Sequence, residues 1–265
     1  MMNIDGPITT VALPLFRSGH IVWYALESLS RQITNYPWEL IIAEEDVKPV
    51  MEESVIKQYM LRLQAAGCVR YHYISLQKWI PLSQKWLMLA QSASPASRAF
   101  IFQAADCYSR PHRLQDMADL ILEGYDWADS EMFAIYSLIY DKIIIKHNTG
   151  GPCGDMSMRT DYVQRVPLTY KKSCVDRWLF QECGRLAGRE VALGIRNTDA
   201  RPSVYLHGFN NISNLGAFFT GDLEHPWASS DKAISDLLPA SIIKRLLTLR
   251  PKATILATKP WRLKR

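Results

Sequence analysis

Hydrophobic positions along the first hundred residues switch repeatedly between two spacings. "ITTVALPLF" (Ile8 to Phe16) is a short β-branched run, after which Ile21, Val22, Tyr24, Ala25, Leu26 and Leu29 recur at helical intervals. "WELIIAEED" predicts a second strand. "MEESVIKQYMLRLQAAG" predicts a helix closed by Gly67, a usual residue just past a helix end. "VRYHYISL" is a third strand, "PLSQKWLMLAQSA" a helix and "RAFIFQAAD" a fourth strand. Strand and helix alternating through short links predict βαβ units and a mainly parallel, Rossmann-like α/β sheet flanked by helices.

The second half is less regular. "DSEMFAIYSLIYDKIIIKH" suggests paired strands, and "GGPCGDMSMRTDYVQRV" a glycine-rich loop entering a short helix. "SCVDRWLFQECGRLAG" reads as a helix ending at Gly188, and "YLHGFNNIS" as a polar loop. A boundary near Asp231 separates a domain over 1–230 from an extension over 231–265, in which "ISDLLPASIIKRLLTLR" predicts an amphipathic helix.

Composition narrows the class. A chain of 265 residues, 48% hydrophobic and 22% charged, buries a sizeable core as one large or two small domains. No run approaches the roughly 20 apolar residues of a membrane span, and "MMNIDGPITTVALPLF" lacks the basic start and cleavage site of a signal peptide, which predicts a cytoplasmic location. Cys68, Cys107, Cys153, Cys174 and Cys183 are odd in number and scattered, against a disulfide framework or a zinc site. The net charge of +5 is uneven. From Ser241 to Arg265 there are eight Lys and Arg and no acid, a tail suited to a polyanionic surface or simply to solvent.

In an open parallel sheet, ligands sit beyond the carboxyl ends of the strands. That rule gathers Arg17 after strand one, Glu44 to Asp46 after strand two, Lys78 or Lys85 after strand three, and Asp106 after strand four. Asp106 has a plain alternative. In "FIFQAADCYSRPHRL", Asp106 or Ser109 could cap a helix opening at Pro111, because Pro suits the first helical position. Trp79, Trp86 and Trp178 read as core packing rather than as ligand platforms.

The order of these motifs, over roughly Ile8 to Ser213, resembles the large second family of glycosyltransferases, those with the glycosyltransferase-A fold. In that family a first strand ends in a turn, here "PLFR", before a helix of the "ALESLSRQ" type. The second strand ends in acids that contact the base, here Glu44 and Glu45. The fourth ends in Asp-x-Asp followed by Pro and Leu, which "AADCYSRPHRL" fits in spacing. A glycine-containing loop then precedes an Arg-bearing helix ("GGPCGDMSMRTDYV"), an acid opens a Trp/Leu helix ("VDRWLF"), and a His-containing loop follows ("YLHGFNNIS").

The resemblance implies a glycosyltransferase, inverting and hexosyl-transferring, that moves a sugar from a UDP- or GDP-linked donor to an acceptor hydroxyl. It implies Asp106 as the acid that meets metal and diphosphate, Asp176 as general base, with a helix cap before "RWLF" as its plain alternative, and His207 as a further metal contact, with a bond to its own loop backbone as the alternative. Lys85 and Arg159 are candidates for the diphosphate, and Gly150, Gly151 and Gly154 for close backbone approach to a sugar. Ala104 departs from the pattern by occupying the place of the first acid. The implied cofactor is Mn²⁺ or Mg²⁺, hard cations that keep several waters, so one carboxylate with the diphosphate oxygens can complete a shell. The acceptor expected from the basic tail is anionic or polymeric, a glycan or hydroxylated bases in DNA, with peripheral membrane contact as another use. Two other readings stand beside this one: a nucleotide-binding module that has lost the reaction, suggested by Ala104, and a plain nucleic-acid binder, suggested by the tail.

Overall fold

The structure, a computed structural model, describes residues 8–16, 18–45, 53–147, 156–166, 181–186, 188, 192–196, 202–207 and 234–257. The chain divides into two compact units: residues 1–131 with 148–198, and residues 132–147 with 199–265.

The first unit contains the alternation that the hydrophobic spacing predicts. β1 (Thr9–Phe16), α1 (Val22–Leu29), β2 (Trp38–Glu45), α2 (Glu53–Ala65), β3 (Cys68–Leu76), α3 (Leu82–Gln91) and β4 (Ala99–Phe102) follow in turn. β2 is buried along its whole length, which is why it reads as a continuous apolar run. Gly67 ends α2 with φ +92, a conformation that side chains rarely adopt, and its carbonyl accepts the Trp38 N–H at 3.1 Å. After β4 come β5 (Cys107–Tyr108), α4 (Arg113–Leu122) and β6 (Trp127–Ser130). β7 (Met132–Ser137) and β8 (Lys142–His147) belong to the second unit, and β9 (Met156–Arg159), α5 (Thr160–Arg165) and β10 (Leu193–Arg196) return to the first.

Seven strands form one sheet in the order β3-β2-β1-β4-β9-β6-β10. β1 is parallel to β2 and β4, β2 to β3, and β6 to β10, whereas β9 runs antiparallel to both of its neighbours. β9 corrects the expectation of a loop entering directly into a helix. "MSMR" has no β-branched residue and is too short to show a period, so pairing with β4 and β6, not local preference, makes it a strand. Of the expected helix over 173–188, residues 181–186 are described and helical, and Gly188 follows with φ +66.

Beneath the sheet, Trp86 of α3 packs edge-on against Phe102 at 4.8 Å and Phe100 at 6.5 Å between ring centres. At the amino-terminal end of the strands Glu39, fully buried, accepts from Thr10 Oγ1 (2.6 Å) and the Ser94 N–H (2.7 Å) and pairs with Arg70 (3.1 Å). Glu39 is therefore satisfied within the chain.

In the second unit β7 pairs antiparallel with β8 and parallel with β11 (Ser203–His207), so Tyr205 to His207 are strand and not the start of the expected polar loop, held by pairing with Ile135 to Ser137. The hairpin turn uses Asp141 at φ 53, and the Tyr136 hydroxyl donates to its carboxylate at 2.7 Å. α6 (Ile234–Leu237) and α7 (Ala240–Ala257) follow. α7 buries Ile242 and Leu246 and exposes Lys244, Arg245 and Leu247, the two-faced character that its sequence predicts.

Candidate functional site

The chain leaves β1 for β2 and β3 on one side and returns to place β4 on the other. Beyond the carboxyl ends of β1 and β4, at that reversal, a doubly wound sheet opens its ligand crevice. The Gln103 N–H donates to the Ala12 carbonyl at 2.9 Å, so β4 stays tied to β1 up to that residue and the chain turns away at Ala104.

Glu44 and Glu45 end β2 on this edge, and Phe16 of β1 pairs with Glu45. Both acids are buried. Glu44 accepts the Tyr73 hydroxyl at 2.8 Å. Glu45 takes the Lys85 ammonium at 2.6 Å and the Ile80 N–H at 3.1 Å on the same oxygen, Oε2, while Oε1 is buried with no hydrogen-bond partner among the described residues. Lys85 also donates to the Leu15 carbonyl at 3.3 Å and lies 5.2 Å from the centre of the Phe16 ring. Burial pushes the Lys85 amine below its ordinary range, and Glu45 opposes that shift. The structure thus places Lys85 on Glu45, as an anchor for the acid at the end of β2.

Asp106 sits half-buried in a tight turn closed by the Cys107 N–H donating to the Ala104 carbonyl at 3.2 Å. The capping alternative is overturned. α4 begins at Arg113, and His112 holds the N-cap position without a side-chain hydrogen bond. Ser109 instead donates to Gln103 Oε1 at 2.7 Å. The same amide oxygen accepts from Arg113 at 2.8 Å, and Arg113 also bonds Ser109 Oγ (2.8 Å) and the Phe102 carbonyl. Gln103 Nε2 then donates to the carbonyls of Ala104 and Cys107, each at 2.9 Å, on either side of Asp106. Sequence reasoning missed Gln103 and Arg113. An Arg in the basic run "RPHR" looks like solvated charge, and only its complete burial shows otherwise.

The other expected residues fall elsewhere. Arg159 pairs with Ala99 at the amino-terminal end of β4, about 10 Å of strand away from Phe102. There it forms a two-pronged pair with Asp161 (3.0 and 3.1 Å) and covers the Tyr162 ring, so it stands apart from Asp106. His207 lies in the second unit, its Nδ1 2.9 Å from Ser137 Oγ and its ring stacked with Tyr140; burial lowers its pKa. Trp79, expected in the core, is 65% exposed on the loop after β3 beside the exposed Lys78, outside the helical spacing that buries Trp86 in α3. Trp86 is in the core as expected. Arg17, Asp46, Gly150, Gly151, Gly154, Asp176, Trp178, Asp231 and the tail over 258–265 lie outside the described residues.

Among the described residues no three of His, Cys, Asp and Glu gather as a metal shell. A single half-buried carboxylate on a braced turn fits a Mg²⁺ or Mn²⁺ ion carried on a diphosphate, which needs few protein ligands, and does not fit an ion caged by protein alone.

The fold, a central and largely parallel sheet flanked by helices, is that of glycosyltransferase-A-like structures. No protein-family model matches the chain, and no curated protein does. Solved structures do. S. aureus TarS 1–349 in complex with UDP-GlcNAc superposes with a TM-score of 0.55 at 14% identity, over 75% of this chain and 58% of that one. The mannosyltransferase PcManGT from Pyrobaculum calidifontis, in complex with GDP-Man and Mn²⁺, gives 0.53 at 11% identity, over 95% of this chain and 73% of that one. The chain spans only 37% of the longer S. aureus TarS structure. At these identities the likeness is one of fold. No helix among the described residues is long and apolar enough to cross a membrane.

Proposed function

We propose that this protein is a nucleotide-sugar glycosyltransferase, moving a sugar from a UDP- or GDP-linked donor to an acceptor hydroxyl. The observation that carries the reading is the Asp106 turn, braced by buried side chains at the reversal point of a glycosyltransferase-A sheet. TarS with UDP-GlcNAc and PcManGT with GDP-Man and Mn²⁺ support a donor of this class.

Each group then has a task. Glu45, with one oxygen held by Lys85 and Ile80, offers Oε1 to an N–H of the nucleobase; a buried carboxylate oxygen without a donor is costly until a ligand supplies one. Asp106 would hold a divalent ion with the diphosphate, and that ion, when bound, supplies positive charge for the leaving group. Asp176 is the candidate general base, and inversion follows if it deprotonates the acceptor directly. His207 is retained as a candidate metal contact.

A panel of UDP- and GDP-sugars with Mn²⁺, read by thermal shift and by release of free nucleotide, tests this. At about 100 times its dissociation constant a ligand adds about 2.7 kcal/mol, a clear shift in melting temperature. A panel with no shift and no release rejects the reading. Ala104 favours one second reading, a nucleotide-binding module without transfer; it predicts the shift without any release.

A further inference from the structure

Gln103 and Arg113 lie outside every group assigned above, yet they make the densest buried polar contacts at the ligand edge. Gln103 and Arg113 are both completely buried, and Ser109 is 1% exposed. Arg113 can only donate, so the Gln103 atom facing it at 2.8 Å is the amide oxygen. That fixes the amide orientation and turns Nε2 to the Ala104 and Cys107 carbonyls, 2.9 Å each. Ser109 adds a second donor to the oxygen at 2.7 Å. The Phe102 carbonyl, last of β4, accepts from the same guanidinium. The guanidinium is therefore joined through one amide to both ends of the turn that holds Asp106.

We propose that Gln103, locked by Arg113 and Ser109, is the positioning residue for Asp106, setting the acid's place toward a metal–diphosphate ligand in a site where Ala104 leaves no first acid to share the work. This rests on the nucleotide-sugar reading above. A turn carrying two acids can tolerate slack, since either acid reaches the ion. With one acid, affinity depends on how firmly its backbone is held, and loss of such outer support costs about 10- to 100-fold in metal affinity.

Gln103→Glu isolates the effect. It keeps an oxygen for Arg113, and that cation compensates the new charge, but both donors to the turn carbonyls become an acceptor. The probes are UDP and GDP, titrated with and without MnCl₂ into the full chain. Gln103→Glu is expected to weaken Mn²⁺-dependent nucleotide binding about 10-fold or more, with metal-free binding near that of the parent and a lower ligand-free melting temperature, because a buried acid oxygen then faces two carbonyls. In the Asp106→Asn background the same substitution should change nothing further, because both act through one carboxylate. Ser109→Ala, which removes one donor to the amide oxygen and one acceptor for Arg113 but leaves both turn contacts of Gln103, is the milder variant should Gln103→Glu fail to fold, and should show a smaller loss of the same kind. Full Mn²⁺-dependent affinity in the variant that folds, or losses that simply add to that of Asp106→Asn, would overturn the positioning role alone. A parent protein that binds neither nucleotide would overturn the donor reading and this inference together.

Discussion

Lys85 and Glu45 bury opposite charges against each other with only a few per cent of either side chain exposed. Such a pair adds little net stability over an apolar pair, but breaking it leaves one charge stranded. We expect Lys85→Met to destabilise the chain by about 3–5 kcal/mol in urea unfolding at pH 7. Adding Glu45→Gln should recover part of the loss, because the stranded charge is then gone. A loss below about 1 kcal/mol for Lys85→Met would mean that water already reaches the carboxylate. At this scale the sequence shows the acids and hides what holds them. Asp106 stands out because it follows an apolar strand so abruptly, and Glu44 and Glu45 because the carboxyl ends of parallel strands line the ligand crevice. Gln103 and Arg113 do not, since their meaning lies in burial and in a partner ten residues away that no spacing rule encodes.

Among the elements, α3 and the loop before it separate two tryptophans that look alike in sequence. Trp86 is 5% exposed and wedged against Phe100 and Phe102; Trp79 is 65% exposed. Trp86→Ala should cost about 3–5 kcal/mol and Trp79→Ala no more than about 0.5 kcal/mol, both measured by chemical denaturation. Equal losses would contradict this placement of the loop and helix. The βαβ run from β1 to β4 was legible because each element carries its own period. β9 was not, because its partners β4 and β6 are distant in sequence and it has no β-branched residue of its own. The start of α4 was misplaced by two residues, since Pro111 tolerates the position before an N-cap as well as the first turn.

Over the whole molecule, the site depends on topology more than on any motif. Reversal of strand order between β1 and β4 brings Glu45, Lys85 and the Asp106 turn to one edge and sends Arg159 to the other, a separation that residue types alone do not reveal. The central claim is that this edge binds a nucleoside diphosphate through Asp106 with a divalent ion. The direct measurement is calorimetric titration of UDP and GDP into the parent and into Asp106→Asn, with and without MnCl₂. The account predicts that one nucleotide binds the parent, that Mn²⁺ tightens it, and that Asp106→Asn erases the Mn²⁺ effect while leaving the fold intact. Absence of binding to the parent by both nucleotides, or an undiminished Mn²⁺ effect in Asp106→Asn, would contradict it.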